Sequence, residues 1–207
     1  MDSKKDRPFF TFKAVDTTSR ALIHSWMVQE HVKEWIHGEC LQRTLEDLDA
    51  FLRGPSSYQH WLSYDGDIPF GYLLTSEVKR DGEDEYACFC RKEDGAITLD
   101  VLIGNPQYLG KGLGHRMIQE FLLSKFSTVH EVLIDPEVMN RRAIHVYEKA
   151  GFSIVDEFVP PHSTLPHYMM HLDMDKLRRM ARRFAAQFHS SNLTRSQNPD
   201  NLEFSSK

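Results

Sequence analysis

Three glycines at positions 110, 112 and 114 have the spacing in this chain that most directly suggests chemistry. Residues 96–103 before them are rich in β-branched and large apolar side chains, as in a strand, and residues 115–126 after them repeat apolar side chains at helical spacing. Glycine lets peptide N–H groups turn inward around one anion, and the N-terminus of the following helix adds partial positive charge. The pattern predicts a pyrophosphate site, although a plain strand-to-helix turn has the same form.

A second motif lies in residues 140–152, further along the chain. Its members are Asn140, Ala143, Tyr147, Glu148, Lys149, Gly151 and Phe152. Together, in this order and at this spacing, the two motifs resemble the GNAT superfamily of acetyl-CoA-dependent N-acetyltransferases over roughly residues 8–174. The resemblance implies an α+β, three-layer GNAT-type fold. Its central mixed and mostly antiparallel twisted sheet is flanked by helices and splays open beside the glycine loop.

No metal ion is expected, because no second Cys or His pair at ligand spacing accompanies Cys88 and Cys90. The resemblance also implies where coenzyme A binds. The glycine loop holds the pyrophosphate, the backbone near the end of the preceding strand pairs with the pantetheine arm, and the second motif contacts the coenzyme. These residues are Val101, Leu102, Ile103, Leu109, Gly110, Lys111, Gly112, Leu113, Gly114, Asn140, Ala143 and Tyr147. The family's usual Gln or Arg is Leu109 here, which leaves a backbone cradle intact. Asn140 either bonds the coenzyme arm or caps the helix.

Three side chains are candidates for the chemistry of amine acetylation. Asp100 lies in an apolar strand, where a carboxylate is costly to bury without a partner or a purpose. We expect it to bind the amine and remove its proton, or else to bond a neighbouring strand. Tyr147 either protonates a leaving thiolate or packs in the core. Asp135 follows a strand and either binds a substrate ammonium or starts a turn before Pro136.

Within the superfamily, four segments resemble aminoglycoside 6′-N-acetyltransferases, which also share Leu109. They are residues 31–39, 44–47, 99–114 and 134–144. By this resemblance Asp100 is the proton acceptor, Asp135 a second ammonium-binding carboxylate, and Tyr147 the general acid. Trp35 helps to wall the acceptor pocket, unless it is simply a core residue.

The acceptor itself stays open at this point. Residues 80–94 are rich in acidic side chains, which favours a polycationic small-molecule amine, although a solvated loop has the same composition. The alternatives are transfer to a siderophore precursor, a polyamine or a protein amine, and a non-catalytic coenzyme-A-binding module. Either a monomer or a homodimer is compatible with the sequence.

The elements that must position these residues follow from periodicity and turn signals. Strands are predicted over residues 9–15, 58–64, 68–78, 96–103, 130–134, 152–159 and 167–174, and helices over 17–29, 31–36, 44–52, 115–126 and 139–150. Thr44 and Asp47 are predicted to form a capping box, and Gly151 a C-cap. The order is that of a mixed sheet rather than a βαβ array.

Composition limits the remaining possibilities. The 207 residues carry 25 Lys and Arg against 30 Asp and Glu, a net charge of −5 that argues against nucleic-acid binding. Neither a secretory signal nor an apolar run long enough for a membrane helix is expected, and three cysteines without framework spacing favour the cytoplasm. We expect a flexible N-terminus over 1–7, an acetyltransferase domain over 8–175, a basic amphipathic helix over 176–189 and a disordered tail over 190–207.

Overall fold

Seven strands form one sheet in the computed structural model, which describes residues 9–80, 84–161 and 163–183. The strands are β1 (Thr11–Ala14), β2 (Tyr58–Asp65), β3 (Ile68–Glu77), β4 (Ala96–Ile103), β5 (Glu131–Ile134), β6 (Ser153–Phe158) and β7 (His167–Asp173). The helices are α1 (Arg20–Met27), α2 (Glu30–Lys33), α3 (Gly38–Arg53), α4 (Gly114–Lys125) and α5 (Arg141–Ala150). Both the predicted mixed sheet and the α+β class are confirmed.

Spatial order in the sheet is β1-β2-β3-β4-β5-β7-β6. Neighbouring strands are antiparallel throughout except for β4 and β5, which are parallel. The strands predicted over 58–64 and 68–78 form a hairpin around Gly66, because β2 and β3 pair from Asp65 and Ile68 outward. Gly66 has φ +60°, which the tight turn requires and glycine adopts readily.

Helices α1 to α3 cover one face of the sheet, here called the α3 face. Leu62 on β2 and Tyr72 and Leu74 on β3 join the apolar cluster that includes Trp26 on α1 and Leu48 on α3. Side chains alternate between faces along a strand, so the neighbours of these residues point the other way. The α3 face therefore carries the first of two core layers.

Helix α4 covers the opposite face, here called the α4 face. The ring of Phe121 lies 5.2 Å from that of Phe12 on β1 and 5.7 Å from that of Trp61 on β2, centroid to centroid. Ser63 Oγ donates to Met117 Sδ at 3.1 Å. Trp61 and Ser63 alternate with Leu62, as a sheet buried on both sides requires.

The predicted start of α3 is wrong. Helix α3 begins at Gly38 rather than near Thr44, whose hydroxyl donates to the Cys40 carbonyl inside the helix, so no capping box forms. The helix predicted from residue 17 opens with a 3-10 turn over Thr17–Ser19, which Asp16 caps by accepting from the Ser19 N–H, and Ser19 is the N-cap residue of α1. The predicted C-cap is confirmed, since Gly151 has φ +113° and donates to the carbonyl groups of the last turn of α5.

The chain divides into two compact units, Met1–Met174 and Asp175–Lys207. In the second unit residues 175–183 are helical, and Arg178 lies 3.0 Å from Asp175 within that helix. The rest of the predicted basic helix over 176–189, the tail over 190–207 and the N-terminus over 1–7 lie outside the described residues. Among the described helices, none has the length and apolarity needed to cross a membrane.

A close approach at Gly104 fixes where the chain leaves β4. A Cβ atom at this position would lie 1.9 Å from Cδ2 of the buried Trp26 ring, so any side chain must displace that ring. The main-chain N–H of Gly104 also donates to the Phe70 carbonyl on β3. The direction of the loop after β4 thus depends on the packing of α1.

We predict that Gly104→Ala lowers the free energy of unfolding by about 3 kcal/mol, because the added methyl overpacks the Trp26 contact. Urea unfolding measures the loss. Gly66→Ala is the control, since its Cβ meets open space and only the positive φ is strained, at about 1 kcal/mol. A loss for Gly104→Ala no larger than for Gly66→Ala would contradict the packing role.

Candidate active site

The predicted glycine loop connects β4 to α4 and uses its glycines in two ways. Gly110 and Gly112 have φ +70° and +67°, and open space surrounds the position of a Cβ at each. Their conformation, not crowding, requires glycine. Gly114 is different: it is the first residue of α4, and its Cβ would lie 3.0 Å from Cγ1 of Val146 on α5. The third glycine therefore permits close packing of the two helices.

Geometry at the start of α4 suits an anion. Leu113 occupies the N-cap and makes no side-chain cap hydrogen bond, so the partial positive charge of the helix N-terminus faces outward. Lys111 in the same loop lies with its ammonium 5.3 Å from the centre of the Tyr108 ring. Leu109 is half-buried at the start of the loop. A phosphate group fits this arrangement of backbone donors.

Strands β4 and β5 separate soon after they pair. Their parallel ladder covers only Ala96 to Thr98 on β4 and Glu131 to Leu133 on β5. Beyond Thr98, β4 remains paired on its other side, where Ile103 lies opposite Gly71 of β3. Among the described residues, therefore, no strand lies beside the β5-facing edge of Val101 and Leu102. Such an edge offers main-chain hydrogen bonds to an extended ligand.

The carbonyl group of Ile103 already has a partner in the protein. His31 lies on α2, and its Nε2 is 2.9 Å from that oxygen. This nitrogen must donate, since a carbonyl oxygen only accepts. The backbone of Ile103 was predicted to contact the coenzyme, but its carbonyl oxygen accepts a hydrogen bond from His31. The bond also ties α2 to the end of β4.

Asp100 lies in the middle of β4 and points to the α3 face. Its register partner on β3 is Leu74, which belongs to that face, and laterally paired residues share a face. The residue is exposed, yet protein atoms crowd around its carboxylate and dehydrate it in part. This dehydration, together with the negative charge of Asp135, raises the pKa of Asp100 from 3.8 to about 7. Asp100 therefore changes protonation near neutral pH.

Asp135 directly follows β5 and lies near Asp100. Tyr86 donates its hydroxyl to Oδ1 at 3.3 Å, and His167 Nδ1 lies 3.3 Å from Oδ2. The same nitrogen is 2.6 Å from the main-chain oxygen of Asp135, which identifies Nδ1 as protonated. Burial alone lowers the pKa of His167, but the hydrogen bonds to Asp135 outweigh it and the pKa is raised. Each oxygen of Asp135 thus has a neighbouring donor.

Tyr147 and Asn140 occupy opposite ends of the predicted coenzyme helix. Tyr147 is buried on α5, and burial, followed by the charges of Asp100 and Asp135, raises the pKa of its hydroxyl. The phenol stays protonated at neutral pH and can donate. Asn140 is the N-cap of α5, because its Oδ1 accepts from the Ala143 N–H at 3.0 Å. The capping role is confirmed, whereas the contact of Asn140 and Ala143 with coenzyme stays a prediction.

Two further carboxylates lie near the site, and sequence analysis singled out neither of them as an individual site residue. The pKa of Tyr58 is raised by burial and then by the charges of Asp47, Asp100 and Asp84. Asp47 is on α3 and Asp84 lies in the β3–β4 connection, so negative charge reaches this tyrosine from three elements. Asp84 belongs to the acidic stretch predicted to attract a polycation. Asp47 had been interpreted only as part of a cap.

The remaining predicted residues are less informative. Trp35 is half-buried just after α2, where its main-chain N–H donates to the Val32 carbonyl. Its place in the acceptor pocket stays a prediction. Burial is the main cause that raises the pKa of both Cys40 and Cys90, and this keeps their thiols protonated and poorly nucleophilic. Within residues 9–80, 84–161 and 163–183, no three His, Cys, Asp or Glu side chains are grouped as metal ligands.

Comparisons with known proteins agree with this geometry. A family model described as an acetyltransferase (GNAT) domain matches residues 16–159. Aminoglycoside N(6′)-acetyltransferase type 1 of Klebsiella pneumoniae is 30% identical over 149 residues, which cover 69% of this chain and 73% of that protein.

Among solved structures, an aminoglycoside N(6′)-acetyltransferase from Legionella pneumophila is 44% identical. It matches with a TM-score of 0.75 over 84% of this chain and 97% of its own. A complex of AAC(6′)-Ib with ribostamycin and coenzyme A is 26% identical, with a TM-score of 0.69 over 83% of this chain and 97% of its own. The family match spans well over half of the chain. The mixed sheet, the glycine loop and the separation of β4 from β5 agree with the fold that the family resemblance implied. The chain therefore belongs to the GNAT acetyltransferase family.

Proposed function

We propose that this acetyltransferase moves an acetyl group from acetyl-CoA onto a primary amine of an aminoglycoside, specifically the 6′-amine. One observation carries the proposal: Asp100 and Asp135, which lie where β4 and β5 separate, are both close enough to Tyr147 for their charges to act on its hydroxyl, and Asp135 also acts on Asp100. A base that titrates near pH 7 and a protonated phenol are the two groups that direct transfer to an amine requires.

Coenzyme A fits the residues on the α4 face. Ile103 Cδ1 lies 4.0 Å from the position of a Cβ at Gly114, so the end of β4 and the start of α4 meet on this face. The glycine loop and the N-terminus of α4 would hold the pyrophosphate, and the free edge of β4 would bond the pantetheine arm. When bound, acetyl-CoA supplies an activated acetyl thioester. We place the reaction in the cytoplasm, since all three cysteines are free thiols.

The acceptor would enter from the α3 face, toward which Asp100 points. Ionised Asp100 removes a proton from the substrate ammonium, directly or through one water, and frees the lone pair that forms the new C–N bond. Asp135 holds a second part of the cationic acceptor. As the C–S bond breaks, Tyr147 gives its proton to the departing sulfur, and the second proton that the nitrogen loses on becoming an amide returns to Tyr147. Neither step requires a cysteine nucleophile.

Charge around the site favours a polycationic acceptor. Asp47, Asp84, Asp100 and Asp135 come from four different parts of the chain, and a molecule with several ammonium groups can pair with more than one of them. Relatives named aminoglycoside N(6′)-acetyltransferases, and complexes containing kanamycin or ribostamycin, support an aminoglycoside as that molecule.

The direct test is thiol release from acetyl-CoA with a panel of aminoglycosides, spermidine and hydroxylysine, followed by mass and NMR analysis of the product. We expect saturable turnover with kanamycin and acetylation at the 6′-amine. Equal or faster turnover with spermidine or hydroxylysine would overturn the aminoglycoside assignment. Coenzyme binding without transfer to any amine would overturn the catalytic one.

We predict that Gly112→Ala raises KM for acetyl-CoA about tenfold, because the added methyl strains φ +67° and turns the loop N–H groups away from the phosphate. Steady-state kinetics measures the change, and KM for the aminoglycoside should stay unaltered. Gly66→Ala is the matched control, with the same backbone strain in a hairpin turn on another part of the sheet. An unchanged coenzyme KM in Gly112→Ala would contradict the cradle.

We predict that kcat/KM for the aminoglycoside rises with pH up to about 7 and then levels off, because only ionised Asp100 accepts a proton. Asp100→Asn should lose at least about a hundredfold in kcat and lose this limb of the pH profile. A profile that keeps the limb in the variant would remove Asp100 from proton transfer.

Stability provides the folding control for Asp100→Asn. The folded state holds the Asp100 proton up to about pH 7, whereas the unfolded chain releases it near 3.8. Ionised Asp100 therefore costs stability progressively as the pH rises through that window. The Tm of Asp100→Asn relative to wild type should increase from pH 4 to pH 7 and stay constant above it.

We predict that Tyr147→Phe lowers kcat about a hundredfold with little change in either KM, because the ring still packs but the proton donor is gone. Tyr64→Phe is the control, since Tyr64 is half-buried on β2 beside Lys13. Equal loss in both variants, or none in Tyr147→Phe, would contradict the acid role.

A further inference from the structure

The segment of residues 84–92 lies along β5 on the α3 face. Thr98 of β4 shares that face with Asp100 by alternation, and its parallel partner on β5 is Leu133. Glu131, two residues before Leu133, and Asp135, two residues after it, therefore point to the same face. The 84–92 segment contacts both of these carboxylates. They are four positions apart along the chain, a distance of about 13 Å for an extended strand.

The 84–92 segment is attached to the start of β5 through the buried carboxylate of Glu131. Glu131 is fully buried, and it accepts from the main-chain N–H groups of Arg91 and Lys92, the latter at 2.5 Å. His171 on β7 completes the set, with Nε2 2.6 Å from Oε2. Burial alone raises the pKa of Glu131, but the bond to His171 and the two main-chain donors outweigh it and lower the pKa. The carboxylate is thus ionised and surrounded by donors.

One ring contact and two hydrogen bonds further restrain the 84–92 segment. The ring of Phe89 lies 5.2 Å from that of Phe158 on β6, centroid to centroid. The Asp84 carboxylate accepts from the main-chain N–H groups of Lys79 and Tyr86, both at 2.9 Å. These contacts lie on either side of Tyr86 and restrict where its side chain can go.

Tyr86 is the point at which the segment reaches the acceptor site. Its hydroxyl donates to Asp135 Oδ1, opposite His167 at Oδ2. Burial, followed by the charge of Asp135, raises the pKa of Tyr86, so it remains a donor. A carboxylate held from both sides cannot rotate freely, which lowers the entropy cost of binding an ammonium group in a fixed position.

We infer that Tyr86 and Glu131 are positioning residues for acceptor binding: Glu131 anchors the 84–92 segment, and Tyr86 at its other end orients Asp135 toward the ammonium group. The inference rests on the proposed role of Asp135 in acceptor binding. It assigns no contact with coenzyme to either residue.

Tyr86→Phe tests the orienting bond. We expect KM for kanamycin to rise about fivefold, while kcat and KM for acetyl-CoA stay within about twofold, because one hydrogen bond to a charged group is lost and the ring remains. Tyr64→Phe should change none of the three parameters.

A double-mutant cycle with Asp135→Asn separates orientation from general structure. If Tyr86 acts through Asp135, Tyr86→Phe has no further effect on the kanamycin KM in the Asp135→Asn background. An equal rise in both backgrounds would overturn the inference. If Asp135→Asn alone leaves that KM unchanged, the proposed role of Asp135 fails first, and the inference that rests on it fails as well.

Glu131→Gln tests the anchor. The amide offers one acceptor oxygen instead of two, so we expect a kanamycin KM raised about tenfold and faster trypsin cleavage after Arg91 or Lys92. Glu120→Gln is the matched control, because Glu120 on α4 also accepts from a main-chain N–H, that of Phe10 at 2.7 Å. It should not raise that KM or expose those sites. Should Glu131→Gln fail to fold, Tyr86→Phe and its cycle still decide the question.

Discussion

The short parallel pairing of β4 with β5 is the constraint on which the rest of this structure depends. The two strands share a ladder only as far as Thr98 and Leu133. Beyond this point no strand in the described part of the chain pairs with that edge of β4, and exposed polar backbone of this kind must bond to water or a ligand. An extended pantetheine arm is a ligand of the right shape. The glycine loop, which continues from the same strand, can then hold the phosphates at its end.

Separation of the two reactants follows from side-chain alternation along β4. Ile103 meets the start of α4 on one face, while Asp100 and its cross-strand neighbour Leu74 face α3 on the other. Coenzyme and amine can therefore approach from opposite sides of the sheet and meet in the gap. The packing of Trp26 on Gly104 and the bond from His31 to Ile103 fix the end of β4. Helices α1 and α2 thereby contribute to the site without supplying a reacting group.

Two carboxylates on the same face illustrate how the environment sets their roles. Glu131 is buried among donors, its pKa is lowered, and it remains ionised as a structural anchor. Asp100 lies among groups that dehydrate it and beside another negative charge, and its pKa is raised to about 7. The first arrangement stabilises the ion at the cost of reactivity. The second destabilises the folded state slightly and yields a base suited to neutral pH.

Sequence alone determined the local elements and the candidates for reactive residues. Glycine spacing located the loop, periodicity located the strands and helices to within a few residues, and the isolated carboxylate in an apolar strand singled out Asp100 as a candidate base. These features depend on neighbours in the chain. The start of α3 was misplaced because the capping pattern at Thr44 is a local signal. Leu41, in the turn of α3 before Thr44, packs against the apolar cluster of the α3 face, and this tertiary contact has no local signal.

Only the tertiary structure decided which distant groups meet. Tyr86 lies in an acidic connection with no helical or strand periodicity, and His167 lies in an ordinary strand, yet both bond Asp135. Glu131 and His171 are 40 positions apart and meet through the pairing of β5 with β7. Such contacts arise from the order of strands in the sheet, and that order reflects packing of the whole chain instead of any pattern within one segment.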